Sequence, residues 1–180
     1  MKTFLDLAQK RQSDRAYRDK PVEQEKLDRI LEAARLAPSA CNAQPWKLII
    51  VTDPEIRHKV AEASSSKALS MNHFSRQAPV QIVLVEEEAN FTSKFGGWLK
   101  QKHYPQLDLG IVASYICLAA ADEGLGSCTL GWFNNEKLTQ LLGIPKRKKV
   151  MLVILIGYSA QATRTKTRKP KEEICSLNAY

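Results

Sequence analysis

The sequence lacks the cysteine and histidine clusters that bind metals. Its 180 residues include four cysteines, no two of which form a C-x-x-C pair, and three histidines that are just as widely separated. Neither set has the spacing of metal ligands, so we predict no metal site. Unpaired thiols and imidazoles without chemistry are the favoured interpretation for all seven residues. They are Cys41, Cys117, Cys128, Cys175, His58, His73 and His103.

Long hydrophobic runs are also missing. The longest, from Val150 to Ile156, is too short to cross a bilayer but suits a buried strand. Asp6 interrupts the first apolar residues before they could form the core of a secretory signal. We therefore expect a cytoplasmic protein without a membrane span. The composition, 44% hydrophobic and 26% charged, fits one domain over residues 1–180.

Aromatic residues are few, and their scarcity affects how the strongly basic net charge is interpreted. The formal net charge is +8, concentrated in residues 146–149 and 164–171, whereas residues 86–88 are acidic. A basic surface can attract nucleic acid. However, aromatic residues make up only 7% of the chain and do not alternate with the basic runs as a base-stacking surface requires. Solvated basic turns are the better interpretation, and we predict no nucleic-acid partner.

Periodic apolar residues predict alternating helices and strands. Helices are predicted from Pro21 to Ala34, from Pro54 to about Ser64, from Leu107 to about Glu123, and from an Asn134 or Asn135 cap to Gly143. Strands are predicted over residues 46–51, 80–85, 128–133 and 150–156. This order indicates an α/β or α+β fold with helices covering both sides of one sheet.

The helix from Leu107 to about Glu123 is apolar on nearly every side and must be enclosed. In a domain this small, a second copy of the chain encloses such a helix more easily than one core does, so we predict a homodimer. One face carries Leu109, Val112, Ala113 and Ile116, and another carries Ile111, Tyr115 and Leu118.

Two segments have no periodic pattern. Residues 86–106 are rich in aromatics and form a candidate lid, in which Phe95 and Trp98 are candidate substrate contacts; a loop that pins itself to the surface is the alternative. Residues 159–180 are polar and basic, and they suggest an extended arm or, alternatively, a disordered tail.

Two basic segments suggest a site for an anion. Arg11, Ser13 and Arg15 place two guanidinium groups and a hydroxyl within a few residues, which suits a phosphate monoester. Lys166 and Arg168 lie in the C-terminal arm and could share the same anion. Taken separately, each segment is also typical of a solvated basic surface.

Two further segments suggest contacts with a heterocycle. Residues 38–46, PSACNAQPW, join a helix to a strand and carry amide side chains that can both donate and accept hydrogen bonds. Residues 124–131, GLGSCTLG, follow a helix and enter a strand, which is opposite to the order of a dinucleotide-binding motif. A helix cap, or a close approach of backbone to a flat ligand, explains these glycines.

These four segments, in this order, resemble the nitroreductase-like FMN flavoprotein family from about residue 3 to residue 170. The resemblance implies an α+β fold with a central, mostly antiparallel sheet flanked by helices. It also implies an interlocked homodimer with two FMN sites, each built from both chains, and a C-terminal arm that runs across the partner.

By this resemblance, Arg11, Lys166 and Arg168 are expected at the FMN phosphate and Arg15 near the pyrimidine edge. Thr129, Leu130 and Gly131 are expected along the ring, with one backbone N–H directed at its N5 atom. The remaining expected cofactor contacts are Gln12 and Ser13 in the same chain, Asn72 at the imide side, and Pro38, Ser39, Ala40, Asn42 and Gln44 from the second chain. Gln12 departs from the family, where many members carry another basic residue.

The activity implied by the resemblance is FMN-dependent oxidoreduction. NADH or NADPH would donate electrons to a small-molecule acceptor such as a nitroaromatic or a quinone, by a ping-pong mechanism. No catalytic side chain is expected, because the flavin performs the chemistry. The alternatives are a flavoenzyme of the same fold that dehydrogenates, dehalogenates or reduces a specific metabolite, and a flavin-binding protein without turnover.

Overall fold

The computed structural model describes residues 3–66, 69–88 and 103–180. The helices are α1 (Phe4–Lys10), α2 (Gln24–Arg35), α3 (Pro54–Ala63), α4 (Tyr104–Asp122), α5 (Asn135–Leu141) and α6 (Lys171–Ile174). The strands are β1 (Trp46–Val51), β2 (Val80–Glu86), β3 (Gly126–Leu130) and β4 (Lys149–Gly157). Short 3-10 turns cover Ala40–Asn42 and His73–Gln77.

The four strands form one antiparallel sheet in the order β1-β2-β4-β3. Because successive side chains of a strand point to opposite faces, each central strand contributes to two cores. In β2, Ile82 and Leu84 pack on one side and Val83 and Val85 on the other. The sequence prediction of an α+β fold with a central antiparallel sheet flanked by helices is confirmed.

Helices cover both faces of the sheet. Apolar residues of α2 and α4 lie in the core of one face, and those of α3 and α5 lie in the core of the other. Predicted capping is also present in α5, where the side chain of Asn134 accepts a hydrogen bond from the backbone N–H of Lys137. The chain leaves α5 through Gly143, whose φ is +63°.

The prediction for β3 was wrong in its boundaries. The strand was placed at residues 128–133, but it spans Gly126–Leu130, where Gly126 pairs with Gly157 of β4. The sequence pattern placed the glycines outside the strand, whereas only Gly124 lies in the left-handed region, with φ +76°, as a helix cap does. Gly126 is a strand residue whose missing side chain leaves room for Asp14.

Helix α4 is apolar on both its buried and its exposed sides. Leu109, Val112 and Ile116, on one of the two faces that the sequence predicted must be enclosed, are buried within this chain against the sheet. On the opposite side, Leu107 is 58% exposed and Tyr115 is 40% exposed. By length and composition α4 is also apolar enough to cross a membrane, a property that the core helices of soluble proteins share.

The aromatic-rich segment without a periodic pattern, predicted for residues 86–106, is shorter than expected at both ends. Strand β2 continues to Glu86, and α4 already begins at Tyr104. The two candidate substrate contacts, Phe95 and Trp98, lie outside the described residues, as does most of the candidate lid.

Candidate functional site

The N-terminal segment after α1 lies beside the edge of the sheet. The backbone N–H of Asp14 donates to the carbonyl of Ser127 in β3 at 2.9 Å, and Ser13 and Ser127 form an isolated parallel bridge. Further along, the backbone N–H of Ala160 donates to the carbonyl of Ala16 at 3.0 Å. Residues 11–17 are therefore held between β3 and the first residues of the C-terminal arm.

A buried carboxylate organises this segment. Asp14 is 4% exposed, and its Oδ1 accepts hydrogen bonds from Gln12 Nε2 at 2.9 Å and from Ser159 Oγ at 2.7 Å. The hydroxyl of Tyr17 donates to the backbone carbonyl of Asp14 at 2.9 Å, and burial raises the pKa of Tyr17 above its ordinary value. These contacts fix the course of the backbone that carries the predicted phosphate ligands.

Gln12 fastens the arm to the N-terminal segment. Besides the bond to Asp14, its Nε2 donates to the carbonyl of Ala162 at 3.1 Å. Its Oε1 accepts from the backbone N–H of Arg164 at 3.0 Å and from Arg164 Nε at 3.5 Å. Since an amide offers two donors and two acceptor positions, its side chain has little capacity left for a ligand. Only the backbone of Gln12 is left to make the predicted contact with the cofactor.

This fastening brings cations from both ends of the chain to one cavity of about 290 Å³. None of them takes part in an ion pair among the described residues. Burial, and then the charges of Arg11 and Arg168, lower the pKa of Lys166. We call this the cationic cavity; its charged side chains are Arg11, Arg15, Arg164, Lys166 and Arg168.

An apolar groove of about 450 Å³ adjoins the cationic cavity, and Arg11 lines both. The groove lies between α1 and α4 and extends to Thr129 at the end of β3. Its polar groups are few: Cys117 Sγ lies 3.5 Å from Thr129 Oγ1, and Ser114 Oγ donates to its own helix at Gly110. An anionic head and a flat apolar body could thus occupy adjoining spaces.

Of the residues predicted to contact the ring, Thr129 lines the apolar groove, but Leu130, Gly131 and Asn72 line neither the groove nor the cationic cavity. The side chain of Leu130 belongs to the core on the other face of the sheet, so only its backbone can face a ligand. Gly131 is exposed, and a Cβ atom placed on it would meet nothing within 4 Å. Asn72 lies after α3, where its Nδ2 donates to the carbonyl of Ser64 at 3.0 Å.

The loop of residues 38–46 keeps an unusual backbone. Cys41, Asn42 and Gln44 have φ values of +52°, +49° and +47°, in a region that side chains other than glycine seldom adopt. Within the loop, the backbone N–H of Gln44 donates to Ser39 Oγ at 2.9 Å. The loop lines neither the cationic cavity nor the apolar groove, so one chain alone does not bring it to them.

The sequence analysis missed two residues, one that lines the cationic cavity and one that contacts the 38–46 loop. Arg164 lines the cationic cavity, and its Nη2 donates to the carbonyl of Ser13 at 2.6 Å. Its spacing from Lys166 and Arg168 contained the signal, because alternate residues of an extended segment lie on the same side. Asp108 is the second: it is buried in α4, and its Oδ1 accepts from the backbone N–H of Ala40 in the 38–46 loop at 3.0 Å.

The chemistry of the described residues is electrostatic. No group of three or more potential metal ligands occurs within residues 3–66, 69–88 and 103–180. The cationic cavity has no carboxylate among its lining residues. The arrangement can bind an anion and orient an attached flat group, and it defines an α+β protein with an anion site at the edge of an antiparallel sheet.

Comparisons with known proteins agree with this class. The family model of the nitroreductase family matches residues 8–71 and 66–158. The chain is 30% identical to the NADH dehydrogenase of Thermus thermophilus, covering 93% of this chain and 92% of that protein. It is also 30% identical to the FMN reductase [NAD(P)H] of Bacillus subtilis, over 93% of this chain and 70% of the relative. The protein belongs to the nitroreductase family, which confirms the resemblance.

Solved structures give the same result. A nitroreductase family protein from Clostridium difficile 630 superposes with a TM-score of 0.84 at 30% identity, and the match covers 100% of both chains. An FMN-dependent nitroreductase from Clostridium difficile R20291 has a TM-score of 0.78 at 29% identity, over 98% of this chain and 99% of the other. In the comparison of sequences, iodotyrosine deiodinase 1 of Rattus norvegicus is 26% identical over 93% of this chain, and the match covers 66% of that protein.

Proposed function

We propose that this protein is an FMN-dependent NAD(P)H oxidoreductase that reduces a small organic acceptor. One observation carries the proposal: the cationic cavity and the apolar groove meet at Arg11, in a chain of the nitroreductase family. The names of two relatives, NADH dehydrogenase and FMN reductase, support the reaction, and a similar structure is that of an FMN-dependent nitroreductase.

The residues present fit the phosphate of FMN. A phosphate monoester is an anion with several strong acceptor oxygens, and guanidinium groups match it with paired donors. In the cationic cavity, Arg11, Lys166 and Arg168 lie close enough that the positive charges of the two arginines lower the pKa of Lys166. Occupation by an anion would relieve this repulsion. We therefore assign the phosphate to these three residues, with Ser13 and Arg15 beside them.

The groove suits the flat part of the cofactor. Bound FMN would supply the two-electron chemistry, and the chain would orient it. Thr129 lines the groove, and the backbone of Leu130 and Gly131 directly follows it in the chain; these three residues would hold one face of the ring. The other face would stay open for nicotinamide and acceptor in turn, so we propose ping-pong kinetics. This predicts parallel double-reciprocal lines.

A homodimer completes the proposed site. Helix α1, which packs against α4, adds Phe4 and Leu5, which are 71% and 64% exposed, to the exposed apolar residues of α4. Pairing of this surface between two chains would bury it and would allow the 38–46 loop, with Pro38, Ser39, Ala40, Asn42 and Gln44, to reach the cofactor of the other chain. The arm beyond Arg168 would extend over the partner. Light scattering should give twice the chain mass, whereas Ile111→Lys should give the mass of a monomer.

The decisive experiment is the visible spectrum of the purified protein before and after anaerobic addition of NADH or NADPH. We expect a flavin band that bleaches on addition, and release of FMN identified by chromatography. A protein that cannot be loaded with FMN would refute the proposal. A coloured protein that neither nucleotide bleaches would instead be a flavin-binding protein without turnover.

The cytoplasmic location of the protein stays a prediction from the sequence.

A second candidate function is reductive dehalogenation, which the similarity to iodotyrosine deiodinase 1 favours. Both reactions would use the same cationic cavity and groove, so the acceptor distinguishes them. The reduced enzyme should be offered a nitroaromatic, a quinone and an iodinated phenol in parallel. Release of iodide at a rate above that of nitro or quinone reduction would support the second candidate.

A further inference from the structure

Asp108 is an unusual buried group. It is 3% exposed within α4, and only one of its carboxylate oxygens has a partner in the described chain. Oδ1 accepts from the backbone N–H of Ala40 at 3.0 Å, while the buried Oδ2 accepts no hydrogen bond from any of the described residues. An ionisable side chain with an unsatisfied oxygen in the interior destabilises a fold. Its presence here therefore points to a purpose other than stability.

The partner of Asp108 lies in a loop with a strained backbone. Cys41, Asn42 and Gln44 hold left-handed backbone conformations, each of which is unfavourable and persists only when its surroundings enforce it. The hydrogen bonds of Asn42, Ala43 and Gln44 join residues of the loop to one another. The bond from Ala40 to Asp108 joins the loop to α4 instead.

The same helix carries the exposed apolar residues proposed as the dimer surface. Asp108 follows Leu107, which is 58% exposed, and precedes Ile111, at 36% exposure, by one helical turn. The anchor of the loop and the contact surface between chains are thus on one rigid element. If a second chain docks on α4, the 38–46 loop therefore faces it in the conformation that the bond from Ala40 to Asp108 holds.

We propose that Asp108 is a positioning residue that fixes the 38–46 loop for cofactor binding, and that it acts on the FMN site of the partner subunit. This inference rests on the proposed function. The carboxylate does not touch the cofactor; it holds the N–H of Ala40, and through it the loop amides, in the conformation that completes the other chain's site.

Substitution by residues of similar shape separates this role from a merely structural one. Asp108→Leu removes the acceptor but suits a buried position, so the apoprotein should unfold at the same or a higher temperature. FMN should nevertheless bind about tenfold more weakly, as expected for loss of one hydrogen bond at a buried position. Asp108→Asn keeps an acceptor for Ala40 and should restore affinity to within about twofold of the original protein.

A second variant removes the same hydrogen bond from its other end. Ala40→Pro deletes the donor, and because the proline Cδ would take the place of the N–H that lies 3.0 Å from Oδ1 of Asp108, it is made in the Asp108→Ala background, where the smaller side chain leaves room for the ring. We expect the same loss of FMN affinity as in Asp108→Leu. Unchanged affinity in both variants, in a protein that otherwise loads FMN, would overturn the inference while leaving the proposed function intact.

Subunit complementation tests the action across the dimer. Chains with Asp108→Leu are co-expressed with chains carrying Arg11→Gln and Arg168→Gln under a different affinity tag, and heterodimers are isolated by both tags. One of the two sites then combines intact cations with an intact loop, so we expect one site per heterodimer with the FMN affinity of the original protein, whereas both sites of the Asp108→Leu homodimer should bind FMN about tenfold more weakly. Heterodimers in which no site has the original affinity would refute action in the partner subunit. An original protein that never loads FMN refutes the proposed function and this inference together.

Discussion

A Cβ atom on Gly126 would lie 2.6 Å from Oδ2 of Asp14. Real side-chain carbons do not approach an oxygen so closely, so the buried carboxylate and the strand backbone fit together only because residue 126 is glycine. Asp14 in turn receives hydrogen bonds from Gln12 and Ser159. Space at Gly126 is therefore a condition for the contact between the two ends of the chain.

The first prediction concerns this contact. Gly126→Ala should lower the free energy of unfolding by about 1–3 kcal/mol, because the added methyl group displaces Asp14. Denaturant titration followed by circular dichroism measures the change. Gly110→Ala is the matched control: a Cβ atom at this helical position meets nothing within 4 Å, and alanine should stabilise the helix by about 0.5–1 kcal/mol. Equal effects of the two substitutions would contradict the prediction.

The second prediction concerns Gln12. Gln12→Leu preserves volume but removes every hydrogen bond to Ala162 and Arg164. The arm should then detach more often, so trypsin should cleave after Arg164 several times faster. FMN should also bind more weakly, since Lys166 and Arg168 lose their fixed position. Gln24→Leu, a substitution on the surface of α2, serves as a control and should change neither rate nor affinity. Equal resistance of the arm to trypsin in both variants would refute the role of Gln12 in fastening it.

The third prediction concerns charge. Arg11→Gln and Arg168→Gln should each weaken FMN binding about tenfold or more, because each removes a charge-assisted contact with the phosphate. Binding should also become less sensitive to salt. Lys169→Gln removes the same charge from a side chain that is 73% exposed and outside the cationic cavity. Isothermal titration at two salt concentrations would show whether the loss is specific; an equal loss in Lys169→Gln would argue for a general charge effect.

The fourth prediction concerns pH. Hydrogen bonding from Tyr158, followed by smaller contributions that include the charge of Lys20, lowers the pKa of Glu23 from 4.5 to about 2. The native state thus favours the ionised carboxylate, so this contact stabilises the fold above about pH 4.5, and its contribution disappears as the pH falls towards 2. Tyr158→Phe should lower the unfolding temperature at pH 6 and have a smaller effect at pH 3. A difference independent of pH would be inconsistent with this linkage.

Much of the fold could be predicted from the sequence because local patterns determine it. The strand at residues 46–51 is an apolar run after Pro45 and before an Asp53-Pro54 helix start, and the structure has the same boundaries. The cations of the site were also visible, because basic residues within a few positions of one another must lie close together. The dimer, the contacts of the 38–46 loop with FMN and the substrate contacts stay predictions.

The features that the sequence did not predict depend on contacts between residues that are far apart in the chain. No local signal shows that Gln12 binds Ala162, since the two are 150 positions apart. The boundaries of β3 were wrong for a similar reason: its start at Gly126 depends on Asp14 and on Gly157 across the sheet. Asp108 was missed because a single acidic residue in an apolar helix gives no indication of which backbone amide it will meet.

The joining of residue 12 to residues 162 and 164 has a consequence for biosynthesis. All four strands of the sheet end by Gly157, so the residues that form both cores are synthesised before the arm. Gln12 and Arg11 are made among the first residues, yet they must wait for nearly the whole chain before their partners exist. Released chains truncated before residue 160 should therefore fold without retaining the cofactor, which makes loading a step that follows translation.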